Sequence, residues 1–196
     1  MMPGGFSYLS VTSSLRPHVT PQLRMRFSFI ALLALIGCSS PAPLPVVDVV
    51  DLQRYAGRWY VWARFDHSFE RGCSCSVAEY TVMPDYVKVV NYCLEGDSWR
   101  TIEGKAFPVE GSNNAKLKVQ FFWPFKGDYY IVSLDSAYQH VLVGEPGRSY
   151  LWMMSRTPVV DEAKYAELAA IAKERGFDPS SLLRMKCASA PPPPGR

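Results

Sequence analysis

The run Lys116-Leu117-Lys118-Val119-Gln120-Phe121-Phe122-Trp123 sets Leu117, Val119 and Phe121 against Lys116, Lys118 and Gln120. A period of two marks a strand with one face buried and the other in water. Turn-forming clusters bound it, Gly111-Ser112-Asn113-Asn114 before and Gly127-Asp128 after. The same pattern extends in both directions. Upstream lie Trp59 to Phe65, Cys75 to Val82, Tyr86 to Cys93 and Trp99 to Phe107, punctuated by Met83-Pro84-Asp85 and Glu95-Gly96-Asp97. Downstream lie Tyr129 to Leu134, Gln139 to Val143 and Tyr150 to Ser155, punctuated by Asp135-Ser136 and Pro146-Gly147. Short strands joined by tight turns predict an all-β fold, an eight-stranded antiparallel up-and-down barrel that closes its own edges and encloses one small ligand. A two-sheet sandwich satisfies the same pattern.

A single C-terminal α-helix follows the strands. Asp161 caps it, Glu162 complements its positive end, and Tyr165, Leu168, Ala169 and Ala172 fall on one stripe. Lys173 and Arg175 occupy the last turn, and Gly176 suits a left-handed terminator. An apolar stripe of this width predicts packing against the outside of the barrel.

The termini speak to compartment. Arg24 and Arg26 precede the apolar run Phe27 to Ile36, which is too short to span a bilayer and reads as the core of a signal peptide over residues 1–37. Met25 and Met1 are both compatible starts. The junction Leu35-Ile36-Gly37-Cys38 resembles the lipobox of bacterial lipoproteins, whose cysteine is diacylated and becomes the new first residue. Lipidation is therefore expected at Cys38, with a proline-rich tether over 38–48, a folded domain over 49–187 and a disordered proline-rich tail over 188–196. Ser39 after that cysteine resembles the pattern of outer-membrane sorting, which implies a lipid anchor in the bacterial outer membrane and a domain facing the periplasm. Three of the 21 basic residues and none of the 18 acidic ones lie in the signal, so the mature chain is neutral. A neutral domain lacks the basic footprint of a nucleic-acid binder.

Gly57-Arg58-Trp59-Tyr60, Asp135-Ser136-Ala137-Tyr138 and Ser155-Arg156-Thr157-Pro158 resemble the three ordered motifs of the lipocalins. The longer runs Ala63 to Gly72 and Tyr150 to Pro158 are similar to those of bacterial outer-membrane lipoprotein lipocalins, relatives of apolipoprotein D. The resemblance covers residues 50 to 187 and implies structural roles for Gly57, Trp59 and Arg156: the tryptophan plugs the closed end and the arginine lies over it. It also orients the strands. With Trp59 inward, alternation carries Val61, Ala63 and Phe65 inward; with Arg156 at the closed end, Met154, Trp152 and Tyr150 line the wall. Leu117, Val119 and Phe121 join that surface, as do Tyr138, His140 and Leu142. The family carries an acid where Val61 stands, so a more apolar floor is expected here. The loop Asp66 to Gly72 is expected to guard the mouth, with His67, Phe69 and Arg71 within reach of a lipid head group.

Beyond Cys38 there are four cysteines, an even number in an oxidising compartment. A hairpin at Met83-Pro84-Asp85 brings Cys73 near Cys93. Cys75 stands where an apolipoprotein D cysteine is stapled to the chain end, which implies Cys75–Cys187. No histidine completes a metal set around Cys73 and Cys75, and neither a metal nor a cofactor is expected. No nucleophile elbow, zinc-protease motif or phosphate loop occurs in the sequence. The expectation is a non-enzymatic carrier of fatty acids or lysophospholipids for storage, transport or repair in the envelope. The alternative is an envelope enzyme using His140 beside Tyr138 in the same cavity, and a homodimer is compatible with either.

Overall fold

The computed structural model describes residues 42–187; the signal, Cys38 and the tail lie outside the described residues. In chain order the elements are α1 (Leu52–Tyr55), β1 (Gly57–Arg64), β2 (Cys75–Val82), β3 (Val87–Glu95), β4 (Ser98–Pro108), β5 (Lys116–Gln120), β6 (Gly127–Leu134), β7 (His140–Gly144), β8 (Leu151–Ser155), α2 (Glu162–Glu174) and β9 (Leu183–Arg184). Each of the first seven strands pairs antiparallel with the next, and β1 pairs with both β2 and β8. The sheet is therefore a closed barrel, not a sandwich. β9 adds a two-residue pairing to the far end of β1, at Ala63 and Arg64.

Antiparallel order places the loops β1–β2, β3–β4, β5–β6 and β7–β8 at one end, which is open. The other end is closed by α1 and the remaining turns. Asp51 caps α1 by accepting hydrogen bonds from Gln53 N (2.9 Å) and Arg54 N (3.3 Å). Residues 42–48, where the sequence suggests a tether clear of the domain, pack along it instead. Leu44 is buried against the helix side, Val47 N donates to Ile131 O, and Val50 N donates to Asn113 O. Ala42 O accepts from Arg148 Nη2 (3.0 Å) on the β7–β8 turn, so this segment begins at the open end and runs to the closed one.

Two apolar cores share the barrel wall. The inner one gathers Trp59, Val61, Tyr80, Val89, Leu117, Ile131, Val141, Val143 and Met154. The outer one gathers Trp62, Ala63, Phe65, Val132, Leu142, Leu151 and Met153 beneath Leu168 and Ala172 of α2. The helix stripe read from the sequence is thus the packing stripe, with Asp161 as its cap and Gly176 in the left-handed region at φ +84°.

Disulfides join Cys73 to Cys93 and Cys75 to Cys187. The first ties the mouth loop to β3. The second fastens the chain after β9 to β2, where Met185 N already donates to Trp62 O and Lys186 N to Ser74 O.

Candidate functional site

A cavity of about 930 Å³ opens at the loop end of the barrel. Its wall is mostly apolar and includes Val61, Ala78, Val89, Ile102, Val119, Phe121, Trp152 and Met154, with Phe122, Phe125 and Tyr150 at the mouth. Of the twelve residues expected to line it, Val61, Val119, Phe121, Tyr150, Trp152 and Met154 do so. Leu117 is buried one layer deeper, in the packed floor.

Five others are elsewhere. Strict alternation holds only along an unbroken ladder, and β1 carries a bulge between Val61 and Ala63. The extra residue turns Ala63 and Phe65 to the outer face, where Phe65 meets the ring of Phe177 with centroids 6.2 Å apart. Arg64, which unbroken alternation from Trp59 would place outside, is consequently buried and directed at Glu70. On β7 the phase is opposite to that expected. Val141 stands opposite Met154 and shares its inward face, so Leu142 packs under the helix. His140 packs against Trp62 on the outside, the two rings tilted by 56°, and its Nδ1 lies 3.0 Å from Asp135 Oδ2. Tyr138 sits in a turn at φ 58°, its hydroxyl accepting from Asp51 N (3.0 Å) and its ring covered by Arg54. Both belong to the closed end's exterior.

The closed end is locked from several directions. The Arg156 guanidinium lies 3.8 Å from the Trp59 ring centroid. It also donates to the carbonyls of Arg58 (2.8 Å), Arg54 (2.8 Å), Tyr55 (3.0 Å) and Tyr138 (3.2 Å). Trp59 Nε1 donates to Tyr55 O (2.9 Å). Gly57, at φ +90°, lets the chain pass beneath this arginine: a Cβ there would sit 3.4 Å from Arg156 Nη1.

Above the lock lie three linked tyrosines, of which Tyr80 and Tyr129 line the cavity. Tyr129 Oη lies 2.6 Å from Tyr55 Oη and 2.9 Å from Tyr80 Oη. Burial pushes all three hydroxyls up from their ordinary range, and they stay neutral. The neutral triad makes two hydrogen bonds among its three hydroxyls and presents no charge to the interior. Sequence reading assigned none of these residues to the cavity. Tyr129 was within reach, because it stands opposite Leu117, already read as inward.

At the mouth the charge is concentrated on Glu70, on a 3₁₀ turn at Ser68–Glu70. Its Oε2 accepts from Trp152 Nε1 (3.0 Å), lies 3.0 Å from His67 Nε2, and is 3.7 Å from Arg64 Nε. Burial alone would push the Glu70 carboxyl up. The bonds from His67 and Trp152, with the charge of Arg64, outweigh it and hold the group below the ordinary carboxylate range. A depressed folded-state pKa contributes stability that is present above the unfolded value of about 4.3 and lost as pH falls through the folded one. Glu70→Gln is therefore expected to destabilise the protein near neutrality and to match the wild type in acid, where Glu70 is itself protonated. Urea unfolding across that range checks this; a pH-independent difference would contradict the assignment.

A closed antiparallel barrel with one apolar, open-ended cavity is a container for a hydrophobic small molecule in its class of architecture. The lipocalin-like domain model matches residues 50–187, and this chain belongs to that family. It is 42% identical over 159 residues to the outer membrane lipoprotein Blc of Escherichia coli, covering 78% of this chain and 90% of that one. It is 29% identical over 170 residues to apolipoprotein D of Rattus norvegicus, covering 79% and 84%. Among solved structures, insecticyanin from Manduca sexta superposes with a TM-score of 0.61 over 74% of this chain and 84% of that one, and at 17% identity the likeness speaks for the fold.

Proposed function

We propose that the protein is a lipid-anchored carrier of the bacterial outer membrane, held through Cys38, that takes fatty acids or lysophospholipids into its barrel for storage, transport or repair. The observation that carries this reading is the cavity itself. Its volume of about 930 Å³ falls within the range of about 300–1,000 Å³ typical of small-molecule sites. An acyl chain suits the apolar shaft between Val61 and Phe121, and a polar head suits the rim, where Trp152, Glu70, Arg100 and Lys126 stand. The names of the bacterial relatives support an outer-membrane address.

The enzymatic alternative placed His140 and Tyr138 together in the cavity. Both side chains are on the outside of the barrel and neither lines the cavity, which favours the carrier reading. The carrier reading is tested by native mass spectrometry with lipid extraction on the protein purified from its host. Co-purifying fatty acid or lysophospholipid is expected. Trp152→Arg, which inserts a cation into the wall, is expected to lower its occupancy at least tenfold, or about 1.4 kcal/mol. An empty protein whose tryptophans are also unaffected by added lipid would overturn the reading.

A further inference from the structure

The most exposed aromatic side chains of the described residues are gathered at one end, whereas the exposed Val49 and Val159 stand elsewhere. Trp123 is 84% exposed, Phe125 76% and Phe122 67%, all on the β5–β6 loop, and Phe69 is 57% exposed on the β1–β2 loop. Both loops belong to the open end. Phe69, Phe122 and Phe125 also line the cavity entrance, so the exposed aromatic surface is continuous with the interior wall. Contiguous exposed aromatics on a protein of this size mark a contact surface. Three observations bear on what covers it.

The first is composition. Tryptophan and phenylalanine beside a lysine, with Lys126 Nζ 4.4 Å from the Phe107 ring centroid, suit the boundary between head groups and acyl chains. The second is charge. Around the mouth, Arg71, Arg100, Lys126 and Arg148 are set against Asp66, Glu70, Glu95, Asp97, Asp128 and Glu145, and Arg100 pairs with Glu95, a mixed rim that gives no basic patch for an acidic protein or an anionic surface. The third is the direction of the chain. Ala42 is held at the open end by Arg148, and Cys38 precedes it by four residues. The described chain thus begins at the same end of the barrel as the aromatic loop.

From these we infer that the mouth of the barrel docks on a lipid surface, with Trp123 and its phenylalanine neighbours seated among the head groups and the cavity opening directly onto the membrane. The inference rests on the carrier reading for its purpose: a lipid would pass between leaflet and cavity without crossing water. Docking through aromatic insertion, not through charge, predicts binding to zwitterionic lipid with little dependence on salt.

The test uses the protein purified from its host and added to vesicles of phosphatidylcholine, with and without brominated acyl chains. Brominated lipid is expected to quench wild-type tryptophan fluorescence, and Trp123→Phe, which keeps an aromatic ring, is expected to remove most of that quenching. Trp123→Ser is expected to slow transfer of a fluorescent fatty acid from vesicles about tenfold, a difference of about 1.4 kcal/mol in the barrier, while leaving uptake from dilute solution unchanged. Trp123 emission that responds to iodide in water but not to brominated lipid would overturn the inference. So would a concentration-dependent dimer in native mass spectrometry that Trp123→Ser dissolves, since the surface would then belong to a second copy. Quenching at Trp123 needs no cargo in the barrel, and the extracted-lipid measurement needs no membrane. Failure of docking and failure of carriage are therefore read separately.

Discussion

Trp59→Ala is expected to lower the stability of the barrel by about 3–5 kcal/mol, the usual cost of emptying a buried tryptophan site. Trp59 is fully buried at the base of the inner core. Its loss would remove more than volume. The Arg156 guanidinium lies on this ring, and without it that charge keeps its four carbonyl partners but loses an apolar platform. A domain of this size has about 5–15 kcal/mol to lose, so the variant is expected to melt at least about 10 °C lower. Urea or thermal unfolding measures this directly. Arg156→Ala alone and the double variant complete a cycle, and the coupling expected is about 0.5–2 kcal/mol. Simple additivity would show that the two side chains stabilise the closed end independently and that their contact is incidental. Arg156 is half-buried and held by backbone carbonyls of α1, of β1 and of the turn at Tyr138, so it also helps to fix three segments to one another.

The strands, their order and the helix were legible in the sequence because each carries its own local signal. β5 alternates, α2 opens on Asp161 and closes on Gly176, and turn residues stand between the strands. The inward face of β8 was legible as well: no bulge interrupts it, and Tyr150, Trp152 and Met154 keep one phase from rim to floor. What alternation could not carry was phase across a bulge. Nothing in Val61-Trp62-Ala63 announces one, since there is no glycine at the shift, and it moved Ala63, Phe65 and Arg64 to faces opposite to those expected. Cross-strand partners supply the missing information. Val141 lies opposite Met154 and Tyr129 opposite Leu117, and each shares its partner's side of the wall. The mouth carboxylate of Glu70 was illegible for another reason. It lies in an irregular loop and is placed there by contacts with Arg64, His67 and Trp152. β9 is two residues long and α1 four, too short to leave a periodic trace.

Removing the Cys75–Cys187 bond is expected to cost more than removing Cys73–Cys93. A disulfide stabilises chiefly by shrinking the unfolded ensemble, and the benefit grows with the length of the closed loop. The bonds span 112 and 20 residues, which correspond to about 4.8 and about 3.3 kcal/mol in the chain-entropy description. Replacing both members of each pair by alanine avoids a stray thiol and suits Cys75, which is fully buried. Cys75→Ala with Cys187→Ala is expected to fall within the range of about 2–5 kcal/mol for loss of a native disulfide, and above the Cys73, Cys93 pair. The two also differ in where they loosen the fold. The long-range bond fastens the segment after β9 beside Ser76, whose carbonyl the Cys187 sulfur approaches at 3.9 Å. Its loss frees Met185 and Lys186 from Trp62 O and Ser74 O and opens the edge of β1 beyond its bulge. The shorter bond holds the mouth loop against β3, so its loss should raise amide exchange over residues 66–74 with a smaller change in global stability. Hydrogen exchange distinguishes these outcomes. Should the Cys73, Cys93 pair prove the more destabilising, the mouth loop would be a larger part of the cooperative core than its exposure indicates. A non-reducing peptide map joining Cys73 to Cys187 would overturn the pairing from which both expectations follow.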